Sequence, residues 1–393
     1  MNSKKTMKKI IILIILIKIT FISISICQVD ITYSNTNIPD PEFASAPYNK
    51  VTWQDRNGDK LWVADINPLT GLFYNFTIID TNIVPMYLAT NGPEWIFNAN
   101  DLQILYAKWD SSFTVSKLAR AWQDSLGNWQ TVKLQNATHP NLTRVGPLGS
   151  LDKTGDYPLK IIYAGFTPNG TQVSIWRELN NPYSETQLPA NLTFPTIMGI
   201  ARWVENKELL ISTYPDIHNI PQTVIYDIRN PSNSEQLTFS ASQKGDSRMW
   251  QSANPSFNGR YMFFTTVEYD SLNWRGINVY IENQNGGWGL LNQIYPPVQS
   301  NYPYIISPEQ FIVNGNSYIS FVVTENSQIF TTSNTQVWVS PADLSLGAPF
   351  RVSNNNPMNR RDPEAYVGTN TAWIFYVEII GNNKILHKCA TGL

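Results

Sequence analysis

Short apolar stretches alternate with polar turns along the chain beyond residue 27. The apolar runs are rich in Ile, Val, Tyr, Trp and Thr. Clusters of Asn, Gly, Pro and Asp separate them, as at Asn57-Gly58, Asn169-Gly170, Asn258-Gly259 and Asn285-Gly286. β-Branched and aromatic side chains suit a pleated, half-buried surface, and Asn-Gly pairs supply the positive φ of tight hairpins. The pattern therefore predicts strands and turns, with helix signals nearly absent.

The strands come in a recurring phrase: a Pro-Glu-like pair and an aromatic, a polar turn, an apolar strand, then another strand. Its starts are Pro41-Glu42-Phe43, Pro93-Glu94-Trp95, Leu151-Asp152, Ala201-Arg202-Trp203, Pro255-Ser256-Phe257, Pro308-Glu309-Gln310-Phe311 and Pro363-Glu364-Ala365. Successive starts lie 50 to 58 residues apart, and each unit has room for about four strands. Such a period means a repeat architecture in which each unit buries its faces against its neighbours. A ring of four-stranded blades removes the exposed edges that an open stack would keep. The expected fold is all-β: a seven-bladed β-propeller, closed by strand-like Val29–Ser34 joining the last blade as its outer strand.

The phrase resembles the repeat of TolB-like and WD-repeat-like propellers. The nearest matches are "PSFNGRYMFFTT" from Pro255 and "LWVADI" from Leu61, with Val224–Asp227 and Val337–Val339 related. The Ser-Pro-Asp-Gly turn of that family is nowhere intact, so the likeness concerns architecture. It implies that the first strand of each blade lines a central channel. Glu42, Glu94, Asp152, Glu309, Asp362 and Glu364 would then gather near one mouth, with Arg202, Arg361 and Trp250 close by. Several carboxylates around one opening can bind a cation, hold a sugar, or act as acid and base. Equally, the acids can be turn residues that cap backbone N–H groups of a neighbouring blade.

Composition narrows the picture. The chain has 393 residues, 42% hydrophobic and 15% charged, enough apolar content for a large core. Residues 1–27 carry five lysines and no acid, and a positive start followed by apolar Ile10–Ile17 reads as an export signal cleaved after Cys27. An uncleaved membrane anchor is the alternative. Residues 28–393 form a single domain with 23 basic and 30 acidic residues and no basic run, which argues against nucleic acid as a partner. Cleavage there would leave Cys389 alone, as a buried small hydrophobe or as a free thiol able to pair with another chain. Sequons at Asn75, Asn136, Asn141, Asn169 and Asn191 mark a glycan-bearing flank of an extracellular protein.

The chemistry is less legible than the shape. The histidines, His139, His218 and His387, fall in separate repeats without i, i+2 or i, i+4 partners. A His-based zinc site or a Ser-His-Asp triad is not indicated, and no Gly-rich phosphate loop is present. No motif calls for a cofactor; calcium is the ion that the mouth acids would suit. The reading is a secreted recognition module for an extracellular carbohydrate or peptide, at a mouth lined by acids and aromatics. The alternative is a carbohydrate-active hydrolase or lyase using mouth carboxylates. Propeller hydrolases of arabinans and fructans use such acids in a central funnel, but on five blades.

Overall fold

The structure is a computed structural model. It describes residues 29–33, 38, 40–55, 59–85, 91–98, 101–135, 139, 141–188, 201–257, 259–269, 274–298, 301–327, 334–369, 371–381 and 383–393. The expected export signal (residues 1–27) and the sequons at Asn136 and Asn191 lie outside these. Among the described residues no helix is long and apolar enough to cross a membrane.

The strands run in chain order. β1 (Val29–Tyr33) is followed by β2 (Glu42–Ala44), β3 (Lys50–Gln54), β4 (Lys60–Ile66) and β5 (Phe73–Thr81). Next come β6 (Glu94–Asn98), β7 (Asp101–Trp109), β8 (Ser116–Gln123) and β9 (Trp129–Lys133). β10 (Thr143–Gly149), β11 (Leu151–Asp152), β12 (Lys160–Phe166), β13 (Gln172–Glu178) and β14 (Thr186–Gln187) follow. Then come β15 (Arg202–Trp203), β16 (Leu209–Pro215), β17 (Pro221–Asp227) and β18 (Glu235–Gln236). β19 (Lys244–Gln251), β20 (Tyr261–Tyr269), β21 (Trp274–Glu282) and β22 (Trp288–Ile294) precede β23 (Tyr304–Val313), β24 (Asn316–Thr324), β25 (Thr335–Pro341) and β26 (Phe350–Arg351). The chain ends in β27 (Asn359–Val367), β28 (Ala372–Ile380) and β29 (Asn383–Ala390).

The expectation of seven separate, hydrogen-bond-closed blades is corrected here. The described strands form six hydrogen-bonded sheets, of which five are separate blade-like units of four or five strands. The remaining strands, β19 to β26, form one continuous eight-stranded sheet. The cause is local: the Arg275 N–H donates to the Pro303 carbonyl at 3.0 Å, and Arg275 pairs in parallel with Tyr304. Nor do hydrogen bonds between successive sheets seal the ring. β11 pairs with β6 of the preceding unit, and elsewhere neighbouring units meet mainly through side chains. β1 runs antiparallel to β29, with Val29 opposite Cys389, Thr32 opposite His387 and Tyr33 opposite Leu386.

Apolar cores sit between consecutive units. Phe43, Trp53, Phe73, Tyr366 and Phe375 fill the one between the last strands and β2–β5. Each such buried side chain contributes roughly 1.5–3 kcal/mol, which is why the units hold together with so few backbone bonds between sheets. The innermost strands β2, β6, β10, β15, β19, β23 and β27 follow one another around the centre, and β2 packs against both β27 and β6. Cys389 is fully buried in β29. Asn75, Asn141 and Asn169 are exposed.

Candidate functional site

The innermost strands carry the charge. Glu42 begins β2, Glu94 begins β6 and Arg202 begins β15, while Arg248 lies in β19, Glu309 in β23, and Arg361, Asp362 and Glu364 in β27. Two bulges aim the last acids. The register of β23 against β24 slips between Ile306 and Glu309, and that of β27 against β28 between Arg361 and Glu364. The slipped residues are Ser307-Pro308 and Asp362-Pro363, and Ser307 and Asp362 take φ of 47° and 50°. A proline removes a ladder N–H, and a bulge re-aims the side chain that follows it. The Ser320 hydroxyl donates to the carbonyls of Pro363 at 3.0 Å and Glu309 at 3.3 Å, joining the two Pro-Glu strands.

The carboxylates converge. Oxygens of Asp40, Glu42 and Glu364 lie within 4.8 Å of one another. Asp40, just ahead of β2, is 9% exposed. Its pKa rises to about 8, first through burial and then through the charges of Asp362 and Glu94, with Lys384 opposing. Glu42 and Glu364 are held well above the ordinary glutamate value, again by burial first. The further causes are Glu94, Glu364, Asp40 and Glu309 around Glu42, and Glu309, Asp40 and Glu94 around Glu364. Glu94, Glu309 and Asp362 are raised by burial against the pull of nearby cations: Arg202 and Arg248 for the glutamates, Lys384 and Arg361 for Asp362. Glu309 forms an ion pair with Arg248, and the Asn91 amide donates to Glu94. Burial works against the Arg248 charge, but Glu309, Glu364, Glu94 and Glu42 more than offset it and raise its pKa.

Two of the expected mouth residues lie elsewhere. Asp152 is buried in β11, opposite Asn98 at the far end of β6 from Glu94. Its oxygens accept backbone N–H bonds from Thr154 (3.0 Å), Gly155 (3.0 Å) and Tyr157 (2.8 Å), and the bonds from this turn hold its pKa low despite some burial. Asp152 therefore caps its own following turn, where the sequence alternative has such acids cap a neighbouring blade. Trp250 is 2% exposed, and its indole N–H donates to the Ser317 hydroxyl at 2.9 Å. It packs between β19 and the following unit and does not line the mouth. The sequence missed Asp40, Arg248 and Lys384. Arg248 had a signal: Arg248-Met249 occupies the place in β19 that Arg202-Trp203 occupies in β15. A surface cleft of about 450 Å3 on outer strands β5 and β9, lined by Asn75 and Trp129 among others, is separate from this cluster.

No family model and no curated protein matches this chain. Among solved structures, one of a study of two prolyl endopeptidases superposes with a TM-score of 0.51 at 10% identity, over 91% of this chain and 49% of that one. The chain is a β-propeller. It spans about half the length of that endopeptidase chain. The propeller domain of the trilobed protease from Pyrococcus furiosus aligns at a TM-score of 0.46 and 11% identity, over 92% of this chain and 94% of that one. The WD40 domain of SCAP from fission yeast aligns at 0.43 and 11%, over 90% and 82%. The neighbours of this propeller are thus WD40 and other β-propeller proteins, and the likeness is one of fold.

Proposed function

We propose that this propeller is a secreted recognition module that takes an extracellular peptide or carbohydrate at its central acidic mouth. The observation that supports it is the convergence of Glu42, Glu94, Glu309 and Glu364 around Arg248, with Asp40 beside Glu42 and Glu364 and Asp362 acting on Asp40; burial and mutual repulsion oppose the ionisation of these acids, and a bound cationic group would relieve that repulsion. Such a mouth favours a ligand group that brings positive charge or several hydrogen-bond donors: a lysine or arginine side chain, an amino sugar, or a run of hydroxyls. Calcium suits the three hard carboxylates Asp40, Glu42 and Glu364, and can bridge them to sugar hydroxyls.

The test is binding to peptide and glycan arrays, followed by Glu309→Gln and Glu364→Gln. Each replaces one mouth carboxyl by an amide of the same shape that cannot ionise. Both are expected to weaken binding at least about tenfold, the size of one charge-assisted hydrogen bond. Unchanged affinity in both variants would sink the reading.

One observation favours a second reading, a carbohydrate-active hydrolase. The oxygens of Asp40, Glu42 and Glu364 lie within 4.8 Å of each other, a bound that brings them no farther apart than the separation of about 5 Å of a retaining glycosidase's paired carboxyls. Product released from a polysaccharide by the wild type, and lost in Glu364→Gln, would replace the binding-module reading. Repeating the assay with EDTA tells whether calcium takes part.

A further inference from the structure

The cleft on the rim of the molecule carries an inference independent of the mouth acids. It measures about 450 Å3, within the range of small-ligand sites, and lies between the outer strands of the first two units. One wall is β5, the edge strand of its sheet, and the other is the β8–β9 hairpin with Trp129. Asn75 and Thr77 line the cleft, and they are the acceptor and the hydroxyl residue of the sequon Asn75-Phe76-Thr77.

The backbone sets them there. Val63 stands opposite Thr77 and Asp65 opposite Tyr74, so Asn75 and Phe76 together face the single residue Ala64. Asn75 takes a φ of 53° in this bulge, a left-handed conformation that asparagine tolerates. The Phe76 ring meets Trp53 edge-on at 6.0 Å, while Asn75 and Thr77 turn to the cleft. The Asn75 amide nitrogen donates one hydrogen to Asp65 Oδ2 at 3.0 Å, and its second hydrogen is the one that a sugar replaces. Asp65 also holds Lys50 Nζ at 2.7 Å, and the Gln123 amide donates to the Gly127 carbonyl at 3.1 Å. The polar groups of the cleft are thus fixed in advance. A pyranose packs its C–H face on an indole and offers hydroxyl and acetamido groups to such donors and acceptors.

We propose that Asn75 carries an N-linked glycan whose first sugars occupy this cleft and pack on Trp129. The glycan joins β5 to the β8–β9 hairpin and covers the open edge of β5. That strand is nine residues long and exposes Tyr74, Phe76 and Ile78, the kind of edge that pairs with another chain when left bare. The inference rests on the secreted reading above for one thing only, access to the glycosylating compartment. In the transfer, Asn75 Nδ2 attacks the anomeric carbon of an oligosaccharide held on a polyprenyl diphosphate. A C–N bond forms as the C–O bond breaks, the amide loses a proton, and the lipid diphosphate leaves.

The experiment uses the full chain expressed in a host that makes N-glycans. Occupancy of Asn75 and Asn169 is read by peptide mass after a peptide-N-glycosidase has converted each glycosylated asparagine to aspartate. Asn169, exposed in the turn between β12 and β13, is the reference. The expected result is an occupied Asn75 whose glycan leaves the folded protein at least about tenfold more slowly than that of Asn169, because the packed sugars must first lift off the ring. After denaturation the two rates should be equal. Trp129→Ala should bring the Asn75 rate toward the reference, and a rate that this change leaves unmoved counts against the cleft as the seat of the glycan. An empty Asn75 beside an occupied Asn169 overturns the inference and leaves the secreted reading intact. Equal release from the folded wild type also overturns it, since the glycan would then stand in solvent. A chain kept inside the cell with no sequon occupied sinks both.

Discussion

Replacing Asp40 with Asn is expected to raise the unfolding midpoint at pH 9 and to leave it nearly unchanged at pH 4. The Asp40 carboxyl titrates from about 8 in the folded protein, against an ordinary value of 3.8, because burial and the neighbouring acids Asp362 and Glu94 oppose its charge. Between those two values the folded protein holds a proton that the unfolded chain has released. That proton's contribution to stability is fully present below about pH 4, declines as the pH rises, and is gone above about 8. Asn keeps the size and hydrogen-bonding capacity without the charge. The difference at pH 9 should be on the order of 3 kcal/mol, allowing for relaxation and water entry around the ionised group. For a chain of this size it amounts to roughly 5 °C, read by thermal unfolding of both proteins at the two pH values. A variant no more stable than wild type at pH 9 would mean that the Asp40 charge is already compensated. Calcium offers the control: if it binds beside Asp40, it should raise the wild-type midpoint at pH 9 and leave Asp40→Asn largely unmoved.

The same comparison separates two populations of acid. Glu42, Glu364 and Asp40 have raised pKa values because they lie among other acids away from water. Asp152 has a lowered one because a turn offers it three backbone N–H groups. Its contribution has the opposite sign, present above the ordinary aspartate range and lost as the pH falls through its lowered folded value. A fold that keeps both is under tension at either extreme. The mouth acids are the ones whose ionisation costs stability as the pH rises.

That division also marks what the sequence could convey. The β content, the turn positions and the four-strand unit are local properties, set by alternation and by Asn, Gly and Pro, and they are legible by eye. Glu42, Glu94, Arg202, Glu309 and Glu364 sit on innermost strands because their phrases are those strands. Two phrases mislead. Pro255-Ser256-Phe257, the copy with the cleanest pattern, is a short 3-10 turn between β19 and β20, where a proline at the first position needs no N–H partner. The innermost strand there is β19, which reads Lys-Gly-Asp-Ser-Arg-Met-Trp-Gln and has no Pro-Glu pair. Its Met249 joins Val204 and Ile211 of the preceding unit, whereas Trp250, one residue on, joins Phe264 and Ile305 on the other side. Neighbouring residues in a strand face opposite ways, so Trp250 packs toward the following unit and away from the mouth. Leu151-Asp152 fails differently: it crosses to pair with β6, a tertiary choice that no local pattern encodes. The single bridge that merges β19–β22 with β23–β26 is of the same kind, one N–H finding a carbonyl across a loop.

Truncating Glu185 is expected to be among the most damaging changes in the chain, although nothing about its sequence surroundings marks it. Glu185 follows a 3-10 turn and accepts two bonds from Arg144 in β10, at 3.0 Å from Nε and 3.0 Å from Nη2. Both side chains have no solvent exposure. The Tyr163 hydroxyl donates to the same carboxylate, and burial beside that charge pushes the tyrosine pKa well up. Arg144 also donates to the carbonyls of Leu142 at 2.9 Å and His139 at 2.8 Å, so it cannot swing out to water without breaking the entry to β10. Glu185→Ala leaves that guanidinium enclosed without its counter-ion and near a second one, Arg177, whose pKa is already lowered, first by burial. The expected cost is about 3–5 kcal/mol, the range for removing one partner of a buried pair. The pair itself is a different matter, because two desolvated charges return little net stability. Arg144→Met combined with Glu185→Leu is therefore expected to lie within about 2 kcal/mol of wild type. Denaturant unfolding of the two single variants and the double variant gives the coupling directly. If Glu185→Ala costs under about 1 kcal/mol, water reaches Arg144 and the pair is not buried. If the double variant falls as far as the single one, the pair is fixing the path of the chain into β10, and its role is geometric as well as electrostatic.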